Sequence, residues 1–110
     1  MNCLELHIKK TQQKKEKLFC AYVTLGYPNV SFTEKLILAL EGVGVDIIEL
    51  GIPFSDPLAD GPTIQESSYR ALTNNTRVYD AFNLVSRLRK KGVSAPIVFF
   101  SYYNIICKLL

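Results

Sequence analysis

The feature that most constrains this chain is an alternation. Three short runs rich in β-branched and aromatic residues, at 18–24 (LFCAYVT), 45–50 (VDIIEL) and 96–100 (PIVFF), are separated by segments whose apolar residues recur at helical spacing. Phe32, Leu36, Leu40 and Val43 form one such stripe, and Val78, Phe82, Val85 and Leu88 form another. Punctuation agrees. Ser31 and Glu34 have the spacing of a capping box, Gly42 and Gly44 supply a stop, Pro62 suits a first helical position, and Thr76 follows an Asn-Asn break as a candidate cap. The second long helix ends in Arg-Lys-Lys-Gly at 89–92, with cations at its carboxyl end and glycine just beyond. Residues 2–17 read as a polar helical lead-in, with Leu4 and His7 on its packed face. Strands alternating with helices imply right-handed βαβ units and a parallel sheet. The near-continuous apolar run at 45–50 suits a parallel strand covered on both faces.

Composition narrows the class. The chain has 110 residues, which suits one domain spanning 1–110, and its 48% apolar content is that of a globular protein. A net charge of +3 is too small and scattered to argue for nucleic acid. The one basic cluster, Lys9, Lys10, Lys14, Lys15 and Lys17 around Glu16, reads as a solvated face, with a polyanion site as the alternative. Three cysteines, an odd number without a C-x-x-C pair, point to reduced thiols and a cytoplasmic setting. The single histidine, His7, argues against a histidine-based metal site. No secretory signal opens the chain, and no apolar run approaches the roughly 20 residues of a membrane helix, so no membrane partner is expected.

The informative segment is 49–62, ELGIPFSDPLADGP. Alternation along the second strand puts Val45, Ile47 and Glu49 on one face, an apolar column topped by a carboxylate. A buried, unpaired carboxylate there would cost several kcal/mol. Glu49 is therefore protonated, paired, or at the mouth formed by the carboxyl ends of the strands, where α/β folds place active sites. Asp60 follows after a proline-stiffened loop. Two carboxylates in unequal environments can divide acid and base work. Pattern alone leaves other readings open: Glu49 as a polar strand end, Asp60 as a helix N-cap, Asp56 as a turn former, and Tyr102 and Tyr103 as packing residues.

The same segment is similar to the signature of tryptophan synthase α chains, E-L-G-x-P-F-S-D-P-x-A-D-G-P, at every fixed position. Residues 22–28 (YVTLGYP), Thr63-Ile64-Gln65, and Tyr102 with Asn104 also resemble that family, so the likeness covers essentially the whole chain. The resemblance implies an α/β fold, the N-terminal part of a (βα)8 TIM barrel with about three parallel strands and covering helices. It implies cofactor-free retro-aldol cleavage of indole-3-glycerol phosphate to indole and glyceraldehyde 3-phosphate, in tryptophan biosynthesis. It implies a pyridoxal-phosphate β subunit as partner in an α2β2 tetramer. By the resemblance, Glu49 is the catalytic acid/base and Asp60 holds the indole N–H. Tyr22 and Tyr102 line the indole pocket, and Pro53, Asp56, Pro57 and Asn104 lie near the β-subunit contact. Tyr22 stands where the family more often has Phe, and its hydroxyl needs a partner if buried.

Length is the departure. A barrel of this type takes about 250 residues, and the family's phosphate-gripping amides and mobile lid belong to its second half. The apolar stretch 105–110 departs from the family's usual continuation and reads as a truncation or an altered frame after Asn104. The expectations are therefore an enzyme half-site carrying the acid/base pair, a chain that only docks on the β subunit, or an inactive fragment. A phosphosugar barrel of other specificity fits the βαβ pattern but not segment 49–62.

Overall fold

The computed structural model describes residues 2–55 and 59–107. Its elements run α1 (Cys3–Gln13), β1 (Cys20–Thr24), α2 (Val30–Gly42), β2 (Ile47–Gly51), α3 (Pro62–Thr73), α4 (Val78–Lys90), β3 (Ile97–Phe100) and a short α5 (Tyr103–Cys107). The three strands form one parallel sheet in the order β1-β2-β3, the expected consequence of joining successive strands through helices. Register is fixed along its length: Tyr22 faces Glu49, Glu49 faces Val98, and Gly51 lies between Thr24 and Phe100.

Alternation gives the sheet two different faces. Val23, Leu25, Ile48, Leu50 and Ile52 turn toward the helices and join Ile37 of α2 and Ala81, Leu84 and Leu88 of α4 in the core. Burying such side chains contributes roughly 1.5–3 kcal/mol each. The other face carries Cys20, Tyr22, Ile47, Glu49, Val98 and Phe100, and it is partly open, with Phe100 50% exposed. The expectation that the second strand is covered on both faces therefore holds for Ile47, Ile48, Leu50 and Gly51 but fails at Glu49, which is half-buried. The expected column beneath Glu49 is also shorter. Val45 belongs to the helix-side core, because its N–H donates to the Leu40 carbonyl in closing α2 and alternation begins only beyond it.

Helix starts differ from the sequence expectations for identifiable reasons. Asn29 caps α2, its side-chain oxygen accepting the Phe32 N–H at 2.8 Å, so the Ser31–Glu34 capping box does not form. Glu34 is instead buried, accepting from Arg87 Nε at 2.8 Å and from Lys91 of the α4 end. Thr76 does not cap α4, since Arg77 holds that position and its N–H donates to Asp80 Oδ2 at 2.8 Å. Thr76 is buried against Gly26, whose φ of +87° and tight contact both require glycine. Pro62 does open α3, with Gly61 before it as N-cap. The expected stripes hold in part. Leu36, Leu40, Val78 and Val85 pack against the core and Leu88 lies within it, but Phe32, Val43 and Phe82 are 48%, 80% and 47% exposed, and the buried faces extend to Thr33 and Ile37 on α2 and to Ala81 and Leu84 on α4.

At the amino end, α1 is tied down through Asp46. His7 Nε2 donates to Asp46 Oδ1 at 3.0 Å and the Phe19 N–H donates to Oδ2 at 2.8 Å. The Phe19 hydrogen bond, then the His7 contact, hold the Asp46 carboxyl below its ordinary range.

Candidate functional site

Glu49 and Tyr22 occupy the same level of neighbouring strands and the same face, because parallel register pairs them directly. The Tyr22 phenol does not stand upright beside Glu49. It leans one step toward the carboxyl end and lies over Gly51: a Cβ added there would sit 2.0 Å from the Tyr22 hydroxyl. Gly51 is thus the residue that gives this ring its place, and Phe100 closes on the ring edge-on at 5.8 Å. The sequence held a signal for this, since glycine inside a strand marks a close approach. Burial pushes the Tyr22 phenol above its usual range. The Thr24 side chain pulls the other way, and the charges of Asp60 and Glu49, then Tyr102, push it up again. Tyr22 therefore remains a neutral hydroxyl within the field of both carboxylates.

Asp60 is held from the far side of the sheet. The Tyr102 hydroxyl, just past β3, accepts the Ala59 N–H at 3.0 Å and donates to Asp60 Oδ2 at 3.2 Å. Gln65 Nε2 donates to the Asp60 carbonyl at 2.8 Å, anchoring this turn to α3. The Asp60 carboxylate therefore serves Tyr102, and the N-cap reading of Asp60 is corrected by Gly61 in that position. Phe54 stacks at a tilt on Tyr102, with ring centroids 4.9 Å apart. Ala59, Asp60, Phe100, Ser101 and Tyr102 line a cavity of about 240 Å³. Next to Tyr22, the Thr24 hydroxyl meets Ser67 Oγ of α3 at 2.8 Å.

Of the four remaining candidates, two stand apart from the carboxylates and two lie outside the described residues. Pro53 is buried beside a second cavity, of about 330 Å³, lined also by Ile52, Leu72, Val78 and Ile105. Asn104 is exposed on α5. Asp56 and Pro57 lie outside the described residues. Among the described residues no three His, Cys, Asp or Glu side chains converge as a metal site would require, and no helix is long and apolar enough to cross a membrane. The cysteines are free thiols.

A family model described as "Tryptophan synthase alpha chain" matches residues 8–109. The chain belongs to the tryptophan synthase alpha-chain family. The alpha chain of Lachnospira eligens is 40% identical over 106 residues, which cover 96% of this chain and 40% of that relative. The alpha chain of Citrifermentans bemidjiense is 52% identical over 93 residues, covering 84% and 34%. Among solved structures, tryptophan synthase subunit alpha from Legionella pneumophila str. Paris superposes with a TM-score of 0.95 at 36% identity, over 99% of this chain and 42% of the other. The tryptophan synthase complex from Pyrococcus furiosus matches with a TM-score of 0.79 at 46% identity, over 84% and 38%. The fold is therefore that of the matched portion of the alpha-chain TIM barrel, and the chain spans about two-fifths of the length of the curated relatives it matches. Within that portion, the tryptophan synthase alpha-chain signature at 49–62 supplies both carboxylates, the Gly51 bed for Tyr22, and Phe54.

Proposed function

We propose that this chain carries the acid/base pair for cleavage of indole-3-glycerol phosphate to indole and glyceraldehyde 3-phosphate, as a carbon–carbon lyase in tryptophan biosynthesis. The observation that carries this reading is the placement of two carboxylates in the signature segment: Glu49 level with Tyr22 on the open sheet face, and Asp60 tethered by Tyr102 just past β3. In the proposed sequence Glu49 delivers a proton to C3 of the indole ring, and Asp60 stabilises the positive charge at the ring nitrogen. Glu49 then removes the proton of the side-chain hydroxyl. The O–H electron pair becomes the aldehyde C=O, and the breaking C–C bond returns its pair to the ring. One proton is gained and one lost, so no cofactor is needed in this subunit. Tyr22 and Tyr102 are proposed to border the indole. The three free thiols suit a cytoplasmic enzyme.

Indole release by the purified chain tests this. General acid/base groups contribute on the order of 10²–10⁴-fold, so Glu49→Gln is expected to remove that factor, and turnover surviving unchanged in Glu49→Gln would exclude the assignment. A second reading concerns what these 110 residues, about 40% of their relatives' length, do by themselves. In it the chain is catalytically silent and at most docks on a pyridoxal-phosphate β subunit, as in an α2β2 assembly, through Pro53, Asp56, Pro57 and Asn104. Co-purification with a β subunit without any indole release would select it.

A further inference from the structure

Glu49 has one polar neighbour that the sequence reading left aside. Cys20 opens β1 one alternation below Tyr22, on the same face, opposite Ile47 in register. Its Sγ lies 3.3 Å from Glu49 Oε1 across the strand diagonal. The groups around Glu49 are few. β1 offers Cys20 and Tyr22, and the Tyr22 phenol is directed away over Gly51 toward the carboxyl end. Asp60 reaches the site through its field on Tyr22 and its bond from Tyr102. β3 contributes Val98 at the level of Glu49 and Phe100 above it, neither of them titratable.

We propose that Cys20 is a positioning residue for Glu49: its thiol donates to Oε1 from the amino-end side of the sheet and leaves Oε2 for chemistry. The inference rests on the acid/base reading of Glu49 for its purpose, although the contact itself does not. A long, flexible carboxylate on an open sheet face samples several rotamers. A donor below it selects the one that points along the strand. The contact registers on sulfur: desolvation, then the hydrogen bond to Glu49 and its charge, push the thiol of the exposed Cys20 above its usual range.

Two measurements on the 110-residue chain test the pair without needing turnover. Iodoacetamide labelling of each cysteine peptide is followed by mass spectrometry against pH, with Cys3 and Cys107 as internal controls. In Glu49→Gln the midpoint for Cys20 is expected to fall by about half a unit, making labelling about threefold faster below the midpoint, while the controls stay fixed. The Glu49 side-chain carboxyl is then followed by 13C NMR at neutral pH. Cys20→Ala is expected to move its Cδ resonance, and Cys20→Ser to restore it, since a hydroxyl donates in place of the thiol. Equal behaviour of Cys20 in wild type and Glu49→Gln, or an unmoved Glu49 resonance in Cys20→Ala, overturns the proposal. Indole release insensitive to Glu49→Gln would instead overturn the acid/base reading and leave the coupling standing.

Discussion

Gly51 and Tyr22 show how much of a site can hang on a missing side chain. The ring of Tyr22 occupies the volume a Cβ at position 51 would need, with the hydroxyl, Cζ and Cε2 all closer than 3 Å to it. Gly51→Ala must push the ring off its bed and away from Phe100. The expected cost is about 1–3 kcal/mol, the range for overpacking. In a Tyr22→Ala background the same change should cost far less, and urea unfolding of the four proteins in that cycle measures the difference. A Gly51→Ala penalty that persists without the Tyr22 ring would show that the contact is not its source. Carboxylates in an apolar, proline-rich setting made Glu49 and Asp60 conspicuous, but pattern left a strand end and a helix cap open for them, and their proposed roles come from the family resemblance. The sequence did not make the Tyr102–Asp60 bond legible, because that bond joins residues far apart in the chain through a loop geometry that no local pattern encodes. Cys20 was likewise invisible as a partner of Glu49, because strand register alone brings the two together.

At the scale of elements, pattern and punctuation located the long helices and each strand, and the apolar stripes placed Leu36, Leu40, Val78, Val85 and Leu88 in or against the core while also taking in the exposed Phe32, Val43 and Phe82. Phe32 and Val43 fit an apolar stripe on α2, yet the surface across from α2 is reached by Thr33, Glu34 and Ile37. Thr33 earns its place through a hydrogen bond, its Oγ1 accepting the Gly26 N–H at 3.0 Å. Glu34 is admitted because α4 delivers Arg87 and Lys91 to it, and the Lys91 hydrogen bond, then Arg87, hold its carboxyl below the ordinary range. A carboxyl whose folded value is depressed contributes stability that is present above its unfolded value, ordinarily about 4.3, and is lost as pH falls through the folded value. The fall in melting temperature on acidification through that window should therefore be shallower in Glu34→Gln than in wild type, with Asp46 supplying part of what remains. Identical acid profiles for the two proteins would mean that α2 and α4 are not held together through this group.

For the whole molecule, the sheet has a centre and two margins. β2 is bonded on both sides: the Ile48 N–H donates to Pro96 and that of Ile52 to Phe100, while the β1 side supplies the Leu25 N–H to Gly51. Because N–H directions alternate, the amides of Tyr22 and Thr24 face away from β2, on the outer side of β1. Side chains of the candidate site are thus shared between a strand bonded on both sides and strands that, among the described residues, are bonded on one. Deuterium uptake should read this as a clock, with the Ile48 and Leu50 amides exchanging last, near the rate of global opening, and Tyr22 and Thr24 well before them. Uniform uptake across β1 and β2 would contradict that ordering. The consequence for Glu49 is that its backbone is timed by the slowest part of the molecule, while Cys20, the side chain proposed to orient it, rides on a strand whose outer amides exchange sooner.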